Sequence, residues 1–459
     1  MHSHTDVGWT CDLERKKLYI QTFGCQMNVQ DSEKAANLLR LSGYEATDDP
    51  QDADLIIVNT CSIREKAAQK IVSQLGRFRE LKARNPRLRI GVGGCLAQQW
   101  GGGFFRKAPY LDLVFGTHQI HRLPEMVAAL EDNRGRQVQT DFCDRVASLA
   151  MLARPEAGAV GTFVTIMQGC DNSCAYCVVP ILRGSEQSRP LPEIIREVNL
   201  LAGQGIREIT LLGQNVNSYG KTDAGGPDFT DLILAIGEVA RIERIRFTTS
   251  HPKDLSPRLI ASFGRVGALC EHIHLPVQSG SDRVLKRMNR GYSAEEYRRK
   301  VGALRAACPE ISITSDVIVG FPGEEEQDFA ATLALMEDVR FDNLFSFQYS
   351  PREGTRAAGM DGQVSDETKR RRLQVLQALQ ADHTLRKNES RVGKIEAVLV
   401  DGLSKNEPAE ITGRTRQNRI VNFPGDPGLI GTTVAVKITQ AFLHSLRGRR
   451  EGQGGEYVH

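Results

Sequence analysis

Residues 168–189 read QGCDNSCAYCVVPILRGSEQSR, and the cysteines within them, Cys170, Cys174 and Cys177, stand in a C-x3-C-x2-C pattern. Three thiolates at this spacing ligate three irons of a [4Fe-4S] cube, and because the stretch holds no fourth cysteine, one iron stays open to an exogenous ligand. A zinc site completed by a remote residue is the alternative, although zinc ribbons pair two short hooks and only one group of three is present. The stretch follows an apolar, β-branched run, TFVTIMQ, which places the cysteines at the carboxyl end of a strand.

Downstream, strand runs recur at REITLLGQN, RIRFTTS, HIHLPVQ, ISITSDVIVG and NLFSFQYS. Helical periodicity separates them at PLPEIIREVNLLAGQ, TDLILAIGEVARI, SPRLIASFGRV, SAEEYRRKVGALRAA and EEEQDFAATLALMEDV. Six βα units are fewer than the eight of a closed barrel, so residues 156–386 are expected to form a partial (β/α)6 barrel with its chemistry at the strand ends. A last long helix leads into KIEAVLVDGL, AEITGRTRQNRIVNF and TTVAVKITQAF, short alternating runs that predict a small β-barrel over residues 387–451.

Upstream, over residues 17–133, LYIQTF, ADLIIVNT, LRIGVGG and LDLVFGT alternate with helical stretches, the pattern of a doubly wound parallel α/β sheet. The segment from Asn133 to about Glu156 reads as a linker. Cys25, Cys61 and Cys95 each follow one of these strands. All carboxyl ends of a parallel sheet lie on one edge, so the three can converge there; three buried structural cysteines are the alternative. GVGG before Cys95 lacks a complete G-x-G-x-x-G, which leaves a nucleotide fingerprint unsupported. Cys11, Cys143, Cys270 and Cys308 follow no spacing and receive no role.

Composition bounds the rest. At 459 residues, 40% hydrophobic and 25% charged, the chain is an ordinary globular protein of several folding units. A net charge of +3 is too small for a non-specific polyanion binder, so a nucleic-acid surface must be a local patch. Residues 388–450 carry ten Lys or Arg against six Asp or Glu, and Arg414, Arg416 and Arg419, with Asn418 and Phe423, are its candidate contacts; a solvated strand face is the bland alternative. Arg414 and Arg416, two apart, are expected to share a strand face. Ten cysteines are too few for a disulfide scaffold, no apolar run reaches membrane-spanning length, and MHSHTDVGWTCDLERKK lacks a secretory signal's apolar core. A cytoplasmic location is expected.

The cysteine stretch resembles the radical S-adenosylmethionine superfamily, whose cube binds the amino and carboxylate groups of that cofactor on its open iron. Tyr176 matches the aromatic before that family's last cysteine. Gly213, Gln214 and Asn215 stand where the superfamily often has Gly-Gly-Glu around the methionine amino group, and VIVGFP, with Ile318 and Gly320, resembles the segment near adenine. In family order, QTFGCQMN, VNTCSIREKA, GGC, QGCDNSCAYCVVP, RGSEQSR, LLGQNVNSYG, HLPVQSGSD and GFPGE resemble methylthiotransferase motifs from Lys17 to about Arg450. That family joins a flavodoxin-like domain, a radical S-adenosylmethionine core and an RNA-binding TRAM domain. GRTRQNRIVNF resembles the branch that modifies isopentenylated adenosine in tRNA rather than the one acting on a ribosomal protein.

The resemblance implies two [4Fe-4S] clusters. The one on Cys170, Cys174 and Cys177 cleaves S-adenosylmethionine to a 5′-deoxyadenosyl radical, and the one on Cys25, Cys61 and Cys95 carries the sulfur that a second equivalent methylates. The implied product is 2-methylthio-N6-isopentenyladenosine at position 37 of the anticodon loop. A flavodoxin or ferredoxin-type reductant and a sulfur or cluster donor are implied partners, and no membrane is. A non-catalytic iron-sulfur RNA-binding protein is the remaining alternative.

Overall fold

The computed structural model describes residues 15–61, 65–143, 155, 158–222, 225–405, 407 and 409–452. Cys11 lies outside them. The chain divides at residue 152 into two compact units.

The first unit runs β1 (Lys16–Thr22), α1 (Gln26–Leu41), β2 (Tyr44–Ala46), β3 (Leu55–Thr60), α2 (Glu65–Arg84), β4 (Arg89–Gly94), α3 (Cys95–Trp100), α4 (Phe104–Lys107), β5 (Leu113–Phe115), α5 (Leu123–Glu131) and β6 (Gln137–Gln139). The strands form one parallel sheet in the order β2-β1-β3-β4-β5-β6, the flavodoxin-like order with one strand added. β3 and β4 are buried on both faces, which is why they read as continuous apolar runs. Leu39, Ile57, Phe115, Leu123 and Met126 pack on one side, and Ile56, Ile71, Leu75, Phe78, Val92 and Phe104 on the other. β6 falls in the segment that the sequence predicts to be a linker and corrects that expectation. It is a polar QVQ edge strand paired with β5 along one side only, so it carries no apolar signal.

The second unit opens with β7 (Gly161–Thr165), β8 (Met167–Gln168), α6 (Val179–Arg183), β9 (Gln187–Ser188), α7 (Leu191–Gly203), β10 (Glu208–Leu212), α8 (Phe229–Gly237) and β11 (Arg244–Phe247). It continues with α9 (Pro257–Ser262), β12 (His272–His274), α10 (Asp282–Arg287), α11 (Ala294–Ala307), β13 (Ser312–Val319), α12 (Glu326–Val339) and β14 (Asn343–Gln348). β7, β10 and β11 form one parallel sheet and β12, β13 and β14 another, and an Ile245–Leu269 bridge links them. Six parallel strands in chain order with no ladder from β14 back to β7 among the described residues make an open barrel. The short antiparallel pair β8–β9 frames the cysteine stretch.

α13 (Asp366–Glu389) packs along β13 and β14 with a largely polar buried face. Arg372 pairs with Glu324 at 2.6 Å, and Gln380 donates to the Phe341 carbonyl at 2.9 Å. It leads to a closed five-stranded barrel of β15 (Ile395–Leu403), β16 (Glu410–Thr415), β17 (Ile420–Pro424), β18 (Thr433–Ala441) and β19 (Leu446–Arg450). This barrel belongs to the same compact unit as the parallel one. Arg244 and Arg246 of β11, both buried, donate to the carbonyls of Ala397, Arg414, Thr415 and Arg416. No helix among the described residues is long and apolar enough to cross a membrane.

Candidate metal centres and the surrounding pocket

In the first unit Cys25 caps the start of α1, Cys61 follows β3 directly and Cys95 begins α3 after β4. β1, β3 and β4 are adjacent, with Thr22 opposite Asn59 and Thr60 opposite Gly94, so all three cysteines stand at one carboxyl edge. The approach is tight. A Cβ on Gly24 would lie 2.9 Å from the Cys61 Cβ, and one on Gly94 would lie 2.3 Å from Asn59 Oδ1 and 2.4 Å from the Thr60 carbonyl. Asn28 locks these turns, donating to Asn59 Oδ1 and to the Thr60 carbonyl at 3.0 Å each and accepting from the Cys25 thiol at 3.4 Å.

Gly94 also sits at φ +89°, where a side chain is strained. Gly94→Ala is therefore expected to displace Cys95. In protein loaded with iron under anaerobic conditions, the variant should lose about half of the bound iron of a two-cube protein, measured by elemental analysis. Full iron content would dissociate the turn from the centre.

In the second unit Cys170, Cys174 and Cys177 occupy the loop between β8 and α6. The barrel pins this loop at several points. The Ala175 N–H donates to the Met288 carbonyl at 2.9 Å, the Ala357 N–H donates to the Ala175 carbonyl at 2.8 Å, and Asn289 Nδ2 donates to the Ser173 carbonyl at 2.9 Å. The Cys177 sulfur accepts from the Val179 N–H at 3.4 Å, and the Cys174 sulfur from Arg290 Nη1 at 3.3 Å. Arg290 is buried and also reaches Tyr176 Oη at 3.3 Å, Tyr292 Oη at 2.9 Å and the Pro276 carbonyl at 2.9 Å.

Burial pushes the thiols of Cys170 and Cys177 up, that of Cys177 to about 12, and the neighbouring sulfurs push the same way. Three thiolates in so dry a place need a cation among them, and soft sulfur donors suit iron in a cube. Among the described residues no three His, Cys, Asp or Glu side chains stand close enough together to hold a metal ion as they are placed. Both sets offer soft sulfur donors, the donor chemistry an iron-sulfur cluster requires.

The other expected positions divide. Tyr176 and Ile318 border one apolar cluster, around Ala175, Met288, Phe321 and Tyr349, beneath the cysteine loop. Gly213 packs its bare Cα against Met167, and the Gly320 N–H donates to Glu324 Oε1 at 2.9 Å. Gln214 Oε1 accepts from the Gly169 N–H at 2.6 Å, and Asn215 Nδ2 donates to Asp254 Oδ2 at 2.6 Å, so both amides brace the loop ends.

Apart from Asn215, which the resemblance sets beside the methionine amino group, the residues with open polar atoms at these strand ends carry no expected role from the sequence. Glu186 Oε1, Asn215 Oδ1, His251 Nε2 and Gln278 Oε1 are buried and lack a protein partner. His251 Nδ1 accepts from the Lys253 N–H at 3.1 Å and burial lowers the ring to about 2, so it is neutral with its proton on Nε2. Thr249 and Gln278, after β11 and β12, hold left-handed φ of 68° and 73°, strain of the kind that gathers at functional sites. RGSEQSR and HLPVQSGSD contain two of these residues, and that was the available signal.

The arginines correct the sequence reading. Arg416 lies in the turn after β16, outside the strand, so alternation does not govern it. Its guanidinium grips both Glu271 carboxylate oxygens at 2.8 Å and the Leu269 carbonyl at 2.7 Å. Arg419 pairs with Asp342 at 2.6 Å. Both tie the small barrel to the large one and are not free for phosphate. Arg414, 39% exposed, is held by Asn418 at 3.2 Å and lies 3.6 Å from Asp401.

Against known proteins, residues 17–116 match the UPF0004 family model, residues 164–336 that of the radical SAM superfamily and residues 389–449 that of the TRAM domain. The chain is 56% identical over 446 residues, 97% of each chain, to the tRNA-2-methylthio-N(6)-dimethylallyladenosine synthase of Syntrophus aciditrophicus. It is 55% identical over 434 residues to the synthase of that name from Geobacter metallireducens, covering 94% of this chain and 98% of that one. Among solved structures it is similar to TsrM, a radical S-adenosylmethionine methyltransferase from Kitasatospora setae, with TM-score 0.54 and 13% identity over 72% of each chain. At that identity the likeness is one of fold.

Proposed function

Because the chain belongs to the tRNA-2-methylthio-N(6)-dimethylallyladenosine synthase family, we propose that it inserts sulfur at carbon 2 of N6-isopentenyladenosine at position 37 of tRNA and methylates that sulfur. The observation that carries this reading is the pair of three-cysteine sets, one at the carboxyl edge of the first unit's parallel sheet and one in the loop that follows β7 and β8 of the large barrel. Replacing an unactivated aromatic hydrogen is beyond any side chain, and two [4Fe-4S] clusters with two equivalents of S-adenosylmethionine supply the radical, the sulfur and the methyl group when bound.

The residues divide the remaining work. Cys170, Cys174 and Cys177 hold the cluster that takes S-adenosylmethionine, with Tyr176, Ile318 and the turns at Gly213 and Gly320 around it. Arg290 sets a positive charge against the Cys174 sulfur, which favours the reduced cluster. Cys25, Cys61 and Cys95 hold the second cluster.

For tRNA, Arg414 is joined by Lys437 and Arg449. These two are cross-strand neighbours on the exposed face of β18 and β19 and have no acidic partner among the described residues. The reaction belongs in the cytoplasm, where tRNA and a flavodoxin or ferredoxin-type reductant meet, and a sulfur or cluster donor restores what each turnover removes.

Protein reconstituted anaerobically should bind about eight irons as two cubes. A Cys25, Cys61, Cys95 to Ala triple variant should keep about four, still release 5′-deoxyadenosine from S-adenosylmethionine, and form no methylthio nucleoside by mass spectrometry of tRNA. Loss of both iron sets in that variant would refute independent centres. Methylthio product on ribosomal protein instead of tRNA would move the chain to the other branch.

A further inference from the structure

We propose that the first unit carries a second contact for the tRNA backbone, a basic and aromatic face made by α2 and residues 100–110. The inference rests on the reading that tRNA is the substrate, and it adds a surface separate from that of Arg414, Lys437 and Arg449. Residues 66–111 hold ten Lys or Arg against one acidic residue, Glu80, a charge of +9 in a chain whose whole charge is +3. Asp112, next along, takes up only Lys82 and Arg89. So local an excess of one sign repels itself, and a polyanion laid against it relieves that repulsion.

The fold gathers part of this charge into one patch. Phe78 of α2, Phe104 of α4 and Leu111 are buried in one apolar cluster, and Trp100, Phe105 and Tyr110 are half-buried against it, so α2 and residues 100–110 cover the same side of the sheet. Cations lie over these rings. Lys107 Nζ stands 4.7 Å from the Trp100 ring centre, and the Arg136 guanidinium carbon 5.1 Å from that of Phe105. Arg136 also donates to the Pro109 carbonyl, and Arg79 of α2 is close enough to Tyr110 to act electrostatically on its hydroxyl. Arg79, Arg106, Lys107 and Arg136 are all exposed, and none of them forms an ion pair among the described residues. Guanidinium forks match phosphate oxygens two at a time, and basic side chains interleaved with aromatic rings are the surface that RNA loops and their flanking backbone fit. An acidic electron carrier suits the face less well, because its electrons are needed at the Cys170, Cys174, Cys177 centre in the other unit.

The test measures Kd across a salt series for the full chain with both clusters loaded, using tRNA with and without the isopentenyl group at position 37. Arg79→Gln, Arg106→Gln removes two exposed charges that no carboxylate engages. The slope of log affinity against log salt should flatten by about 1.5, and the Kd near ~0.1 M salt should rise about 30-fold. Both tRNAs should lose alike, since a backbone contact does not read the base. An unchanged Kd and slope would overturn the proposal, as would a loss confined to the isopentenylated tRNA. If the double variant holds less iron than wild type, Lys107→Gln decides: a slope lower by about 0.8 supports the face, and an unaltered slope overturns it. Unaltered tRNA affinity with slower turnover on a reduced flavodoxin, but not on dithionite, would give the face to an acidic protein instead. Wild-type protein that binds tRNA in this salt-dependent way yet forms no methylthio nucleoside would sink the reading of the reaction and leave the surface standing.

Discussion

Cys174→Ala is expected to abolish 5′-deoxyadenosine formation from S-adenosylmethionine in an anaerobic, reduced assay and to remove about four of about eight irons. The site begins with three protein ligands, so losing one leaves two thiolates to retain a cube. Cys174 is also the sulfur that Arg290 touches. Its loss leaves the buried Arg290 guanidinium without the sulfur it meets at 3.3 Å, whereas the substitution touches none of the first unit's three cysteines. The remaining four irons should therefore persist, and methylthiolation should vanish with the radical. Near-normal 5′-deoxyadenosine release would sink the assignment of the stretch. Arg290→Met provides an independent reading. It strips donors from the Pro276 carbonyl and the Tyr292 hydroxyl in a dry setting, at a cost of about 3 kcal/mol in stability by thermal unfolding. In whatever folds, the cluster's reduction potential should fall because the positive charge is gone.

Most of this fold was legible because hydrophobic period and chain order carry it. All six long runs after residue 160 became barrel strands, and Cys25, Cys61 and Cys95 landed on one edge because parallel strands share a direction. What the sequence hid was short or non-local. β2, β6, β8, β9 and β19 have two to five residues each and too little pattern to register. Glu186 gave no sign of lacking a counter-charge, since only packing shows which cations are already committed. The run GRTRQNR looked like a phosphate contact for the same reason, because its partners Glu271 and Asp342 lie 145 and 77 residues away.

That misreading determines where tRNA contact should be sought, and the double variant Lys437→Ala, Arg449→Ala is expected to show it. Each lost phosphate contact removes roughly 0.7 to 0.9 from the slope of log affinity against log salt, so two should flatten it by about 1.5 and weaken binding about 30-fold near ~0.1 M salt. Both clusters should stay full, and S-adenosylmethionine cleavage without tRNA should persist. Methylthiolation at limiting tRNA should fall and recover at high tRNA concentration, since the loss is one of binding. Arg416→Ala should behave differently. Its guanidinium is spent on Glu271 and the Leu269 carbonyl, so removal leaves a partly buried carboxylate unpaired and loosens the small barrel from the large one. Because the side chains are 26% and 22% exposed, solvent screens part of the cost, and about 1 kcal/mol is expected as a lower melting temperature, with the salt slope unchanged. A flattened slope for Arg416→Ala together with an unaltered one for the Lys437, Arg449 variant would return RNA recognition to the hairpin between β16 and β17.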